Sequence, residues 1–154
     1  QHQRYRDAGI RETFVQDNMA MSIKGVLRGL HAQEPHAQGK LVQVFQGRVF
    51  DVAVDLRVGS PTFAQWHGVI LDDDNALQFY VPPGCLHGYY VMSERALFGY
   101  KTTDIYSPDS EFSVRWDDPT IAIEWPLDGE PTLSDKDRAA PFLKDIAETR
   151  LSRF

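Results

Sequence analysis

Short apolar runs, not long amphipathic stripes, dominate this chain. Residues 40–45 and Arg48–Asp55 are two β-branched-rich runs joined by Gln46-Gly47, which predicts a hairpin. In Val49-Phe50-Asp51-Val52-Ala53-Val54-Asp55 the aspartates interrupt the apolar run, as expected of a strand with one wet face or of a polar barrel interior. Gly59-Ser60-Pro61 predicts a turn, and residues 63–71 (FAQWHGVIL) resume a strand. The acidic stretch Asp72-Asp73-Asp74-Asn75 reads as a solvated turn. Further strands are expected over 77–81, 88–92 and 97–102, with Pro82-Pro83-Gly84 closing the first.

Short strands at this spacing predict an all-β sandwich or barrel. Two segments read as short peripheral helices. One covers residues 3–8, with Gly9 as a C-cap. The other covers 140–151, with Pro141 in its first turn and Phe142, Leu143, Ile146, Ala147 and Leu151 forming a stripe.

Composition narrows the class. A chain of 154 residues with 42% hydrophobic positions suits one folded domain over 1–154. No run reaches the ~18 apolar residues of a membrane helix. A net charge of −6 argues against a general nucleic-acid binder. The single cysteine, Cys85, excludes an internal disulfide and a Cys-based zinc site, and a cytoplasmic setting is expected. Cys85 reads as a small filler in a turn. The chain starts at Gln1, which suggests that upstream residues are missing.

Among five histidines, His2 and His36 read as surface or loop residues and His67 as a strand residue without chemistry. His31 and His87 each lie near glycine at an expected strand boundary, where a barrel mouth takes its ligand. Neither belongs to the closely spaced histidine pair of a metal site, so a catalytic metal is disfavoured. Acid–base chemistry fits better. An imidazole held by a carboxylate can remove a weakly acidic C–H proton, with Asp51, Asp55, Asp135 and Asp137 as candidate holders. An enolate oxygen formed next to that carbon needs a cation or donor, and Lys40 and His87 are candidates. Tyr100 is a candidate for returning the proton, although a strand aromatic of this kind more often belongs to the core.

The blocks Phe14-Val15-Gln16-Asp17-Asn18, Lys24-Gly25-Val26-Leu27-Arg28-Gly29-Leu30-His31 and Ala37-Gln38-Gly39-Lys40 closely resemble the dTDP-4-dehydrorhamnose 3,5-epimerase family. So do Pro82-Pro83-Gly84-Cys85-Leu86-His87-Gly88, Tyr100-Lys101-Thr102-Thr103-Asp104, Tyr106-Ser107-Pro108 and Leu133-Ser134-Asp135-Lys136-Asp137, all in the family's order. The resemblance implies a cupin-like jelly-roll β-barrel working without metal or cofactor, usually as a homodimer. It implies a dTDP-linked 4-keto-6-deoxy sugar, epimerised at C3 and C5. By that resemblance His31 is the base, Asp137 its partner, Lys40 the cation near the 4-keto oxygen and Tyr100 the acid. Gln16, Asn18, Arg28, Glu111 and Lys136 fall on nucleotide and diphosphate contacts, and His87 lies near the sugar.

An extended segment would separate Arg28 from His31 by ~10 Å, about the span from a diphosphate to the far carbons of its hexose. Tyr106 is placed to stack on the base. Two departures stand out. The family's N-terminal segment with its D-x-R-G-x-F-like stretch has no counterpart before Gln1, and Ala32 stands where an aromatic often follows the histidine. The rival expectations are a C3-only epimerase, a ketoisomerase of a related sugar, and a non-catalytic sugar-nucleotide binder.

Overall fold

Alternation of side chains across each strand decides this architecture. In the computed structural model, residues 2–154 are described, and Gln1 and the side chain of His2 lie outside them. The strands are β1 (Gln16–Ile23), β2 (Leu27–Gln33), β3 (Lys40–Gln46), β4 (Arg48–Asp55), β5 (Trp66–Asp72), β6 (Gln78–Val81), β7 (Cys85–Val91), β8 (Arg95–Thr102) and β9 (Glu111–Ser113). They form a four-stranded sheet of order β1-β8-β3-β6 and a five-stranded sheet of order β5-β4-β7-β2-β9. The pairings between neighbouring strands are antiparallel.

The interior between the sheets is packed by Val42, Val44, Ala96 and Phe98 from one sheet and Val49, Leu71, Tyr89 and Val91 from the other. Leu30, Val52, Val54 and Leu86 belong to a second cluster with Val114, Ile121 and Leu143. Both faces of β4 are therefore buried. Its alternate positions Val49 and Asp51 fall on the interior side, and the polar-interior reading holds over the wet-face one.

Gln46-Gly47 does not close a hairpin. β3 pairs with β8 and β6, whereas β4 pairs with β5 and β7, so the dipeptide carries the chain from one sheet to the other. Gly47 sits at φ +84°, and a Cβ there would lie 2.1 Å from the Arg95 carbonyl oxygen. Local turn chemistry cannot distinguish these outcomes, because partner choice is made by long-range burial. The strand expected from residue 63 starts at Trp66. Residues 60–65 are drawn into a turn, with Ser60 and Thr62 hydroxyls donating to Asp55 at 2.6 and 2.7 Å.

The N-terminal helix α1 (His2–Asp7) is present. The expected helix over 140–151 is not. Two 3₁₀ turns, Leu143–Asp145 and Glu148–Arg150, replace it. The Leu143 amide donates to the buried Asp118 carboxylate at 2.7 Å, and Leu143, Ile146 and Leu151 all pack on the outer core cluster. The apolar spacing is real, but tertiary contacts fix an irregular backbone there and override propensity. A one-turn helix not anticipated from the sequence, α2 (Asp135–Arg138), lies beside β2.

Candidate active site

β2 and β7 bring the two chemically prominent histidines together. His31 and His87 are direct cross-strand partners, and both sit inside their strands, not at strand boundaries as the sequence suggests. The strands approach closely at Gly29 and Gly88. A Cβ on Gly29, at φ +124°, would lie 2.6 Å from Gly88 Cα, and one on Gly88 would lie 2.8 Å from the Arg28 carbonyl oxygen. Register shifts between Arg28 and His31. In a regular strand, residues three apart point to opposite faces. The irregularity sends both side chains into one cavity, so the uniform extended spacing expected for this pair does not apply.

That cavity is lined by Arg28, His31 and His87 from the five-stranded sheet, by Lys40 and Tyr100 from the four-stranded sheet, and by Tyr106 and Glu111 at its rim. An adjoining hollow shares Tyr100, Tyr106 and Glu111 and adds Gln16 and Asn18, whose side chains bond to each other at 2.8 Å. Of the expected site residues, Asp137 and Lys136 do not line the cavity. They stand behind it on α2 and act through partners.

Asp137 is 2% exposed, and its Oδ1 lies 2.5 Å from His31 Nε2. Ser134, the N-cap of α2, donates its hydroxyl to Asp137 Oδ2 at 2.8 Å and accepts the Asp137 amide at 3.1 Å. Burial by itself raises the Asp137 carboxyl, but the bonds from His31 and Ser134 outweigh it and hold the group below the ordinary aspartate value. An anionic Asp137 fixes the proton of neutral His31 on Nε2 and leaves the Nδ1 lone pair available as a base.

His87 has its own carboxylate. Both oxygens of the fully buried Asp51 lie 3.0 Å from His87 Nε2, and the imidazole stacks on Phe98. Burial pushes Asp51 up, opposed by His87 and Lys40. Lys40 is buried, and desolvation lowers its ammonium to about 8 despite the neighbouring carboxylates of Glu111 and Asp51. It is a cation close to its neutral form, able to stabilise or release charge. Burial raises the Tyr100 phenol, keeping it protonated.

At the rim, Glu111 accepts from the Tyr106 hydroxyl at 3.0 Å and pairs with the Lys136 ammonium. Burial raises this carboxyl, yet those two bonds bring it below the ordinary glutamate value. The Tyr106 ring is half exposed and tethered at its hydroxyl, and its amide donates to Gln16 at 3.0 Å. Arg28 presents an exposed guanidinium at the same rim.

The other candidate carboxylates lie elsewhere. Asp55 is bound by Arg57, Ser60 and Thr62, and Asp135 is exposed at the start of α2. His36 and His67 are exposed, and burial pushes the Cys85 thiol up to about 11. Among the described residues, no group of three or more His, Cys, Asp or Glu side chains is placed to hold a metal ion.

Sequence reasoning did not single out three contributors. Gln33 and Gln38 line the cavity and bond to carbonyls at Ile105 and Asp104, tying the loop that carries Tyr106. Gln38 falls in the family-like block Ala37-Gln38-Gly39-Lys40 without a role of its own there, and nothing in the sequence marks Gln33. Ser134 carried a usable signal, the Ser-x-x-Asp spacing of a helix cap.

His31, Tyr100 and Lys40 thus converge in a cavity between two sheets, and the protein is a cupin-like jelly roll. The chain belongs to the dTDP-4-dehydrorhamnose 3,5-epimerase family, whose model matches residues 1–145. It is 55% identical over 136 residues to the dTDP-4-dehydrorhamnose 3,5-epimerase of Salmonella typhimurium LT2, a match covering 88% of this chain and 74% of that protein. The enzyme of the same name from Pseudomonas aeruginosa PAO1 is 53% identical over 133 residues, covering 86% and 74%. The crystal structure of dTDP-6-deoxy-D-glucose-3,5-epimerase from Legionella pneumophila Philadelphia 1, solved with dTDP-4-keto-L-rhamnose, superposes with a TM-score of 0.98. It is 55% identical, and the match covers all (100%) of this chain and 82% of that one.

Proposed function

We propose that this chain epimerises dTDP-4-dehydro-6-deoxy-D-glucose at C3 and C5 to dTDP-4-dehydro-L-rhamnose, a step of dTDP-L-rhamnose biosynthesis. The observation that supports it most directly is the placement of His31 and Tyr100 on opposing sheets around one cavity. Inversion at a carbon requires that a proton leave one face of the sugar and another arrive on the opposite face.

The 4-keto group acidifies the C–H bonds on either side of it. His31 Nδ1 takes the proton, and the electron pair moves into the enolate, where Lys40 and His87 stabilise the oxygen. Tyr100 then delivers its phenolic proton to the other face, and the ketone re-forms. Arg28 faces the diphosphate with its planar fork, with Gln16 and Asn18 beside it. Tyr106 stacks on the base, held with Lys136 by Glu111.

The chain works as one domain. β1 exposes Met19, Met21 and Ile23 on its outer face, with exposures of 67, 52 and 66%, and this row at a sheet edge suits burial in a homodimer. The lone buried thiol fits a cytoplasmic setting.

The test is incubation with dTDP-4-dehydro-6-deoxy-D-glucose in heavy water, read by proton NMR. Deuterium at both C3 and C5 is expected. Label at C3 alone would assign the chain to single epimerisation, and binding without label would leave only a sugar-nucleotide binder.

A further inference from the structure

The strand that carries Glu111 is weakly held. β9 has three residues, and among the described residues it pairs only with β2 and forms the edge of its sheet. Its carboxylate nevertheless anchors both Tyr106 and Lys136. The segment after residue 145, beyond the part matched by the family model, supplies what the strand lacks.

Arg150 Nη2 donates to the Glu111 carbonyl at 3.1 Å and to the Ser110 carbonyl at 3.3 Å, while its guanidinium lies over the Phe112 ring. The Ser110 carbonyl also accepts the Glu34 amide at 2.9 Å, so Arg150 fastens β9 where its pairing with β2 ends. The same tail is fastened beyond Arg150. The Ser152 hydroxyl donates to Glu34, the Val58 amide donates to the Ser152 carbonyl at 2.8 Å, and the Phe154 amide donates to the Val58 carbonyl at 3.1 Å. Leu151 packs on the outer core.

We propose that Arg150 is a positioning residue for the nucleotide end of the substrate, acting by clamping β9 so that Glu111 holds Tyr106 and Lys136 at the rim. The proposal rests on the epimerase reading for the identity of the ligand. Arg150 does not touch the cavity. The His31–Asp137 contact is made between β2 and α2, and β9 meets His31 through Ser113, at the end of the strand away from the Arg150 contacts at Ser110 and Glu111. Losing the clamp weakens binding more than it slows turnover.

The test compares wild type, Arg150→Ala, Arg150→Lys and, as a control on the same tail, Arg153→Ala. Titration calorimetry with dTDP alone, steady-state kinetics and hydrogen–deuterium exchange of ligand-free protein are measured for each. Arg150→Ala is expected to weaken dTDP binding and raise KM about three- to tenfold, with kcat changed less than about twofold. Exchange should accelerate at residues 110–113. Arg150→Lys, which keeps the cation without the planar fork, should fall between, and Arg153→Ala should match wild type. Unchanged dTDP affinity and exchange in Arg150→Ala, or a fall in kcat with KM fixed, would overturn the assignment. A wild type that binds no dTDP would instead defeat the functional reading, which the exchange data do not depend on.

Discussion

His31 and His87 face each other across β2 and β7, and each gives its Nε2 to a different buried aspartate, Asp137 and Asp51. Two like residues thereby acquire different settings. The partner of His31 lies on a capped helical turn that reaches the strand from outside. The partner of His87 comes from the adjacent strand and shares its charge with Lys40. The proposed base is held from a helical turn, and the second imidazole is held from a neighbouring strand by an aspartate close to Lys40.

His31→Ala and Asp137→Ala are expected to lower kcat by about 10²–10⁴-fold, the usual contribution of a general base. Circular dichroism and dTDP binding should be retained. A His31→Ala protein with near-normal turnover would remove the base assignment.

Ser134 separates two roles that one hydroxyl combines. Ser134→Ala removes both the helix cap and the donor to Asp137 Oδ2. Ser134→Asp keeps an acceptor for the Asp137 amide but places a second carboxylate against the first. Ser134→Thr keeps both roles. Thermal melts should show a loss of about 1 kcal/mol for alanine and little for threonine. Turnover should fall more for aspartate than for alanine. Equal turnover in all three would show that only the cap matters.

Lys40 sets an alkaline limit. If the ammonium stabilises the enolate, kcat should decline as pH rises through about 8, where the buried group loses its proton. The stability effect has the opposite sign. Between about 8 and 10.5 the unfolded chain holds a proton that the folded one has released, so the Lys40 contribution to stability rises with pH over that interval. Lys40→Met should be inactive yet more stable than wild type at pH 7, with the difference shrinking toward pH 10.5. Urea titrations at several pH values measure it.

Gly29→Ala tests the close approach of β2 and β7. The new Cβ would meet Gly88 Cα at 2.6 Å in a backbone region that side chains rarely adopt. Overpacking of this kind costs about 1–3 kcal/mol, with backbone strain in addition. A lowered urea midpoint is expected, together with reduced kcat from displaced His31. Wild-type values for both would show that the strands can separate freely.

The all-β class and most strand positions are legible in the sequence, because alternation and turn residues are local signals. Of the residues that meet in the cavity, His31, His87, Lys40 and Tyr100 are legible as candidates by residue type, Arg28 and Glu111 come with the family resemblance, and Gln33 and Gln38 are missed. Asp137 is one of four candidate carboxylates, and motif resemblance singles it out as the partner of His31, more than a hundred positions away, which no local pattern could do. Three matters were decided only in three dimensions. The Gln46-Gly47 step crosses between sheets because β3 and β4 each pair with distant strands and meet each other through side chains in the core between the sheets. The apolar spacing over 140–151 became two 3₁₀ turns because Asp118 and the outer core take hold of its side chains and backbone separately. The register shift beside Gly29 turned Arg28 and His31 toward one cavity, which a regular strand would have prevented. A chain's own periodicity fixes which faces are apolar. Which carboxylate meets which imidazole depends on how distant strands align, and that is settled when the whole core packs.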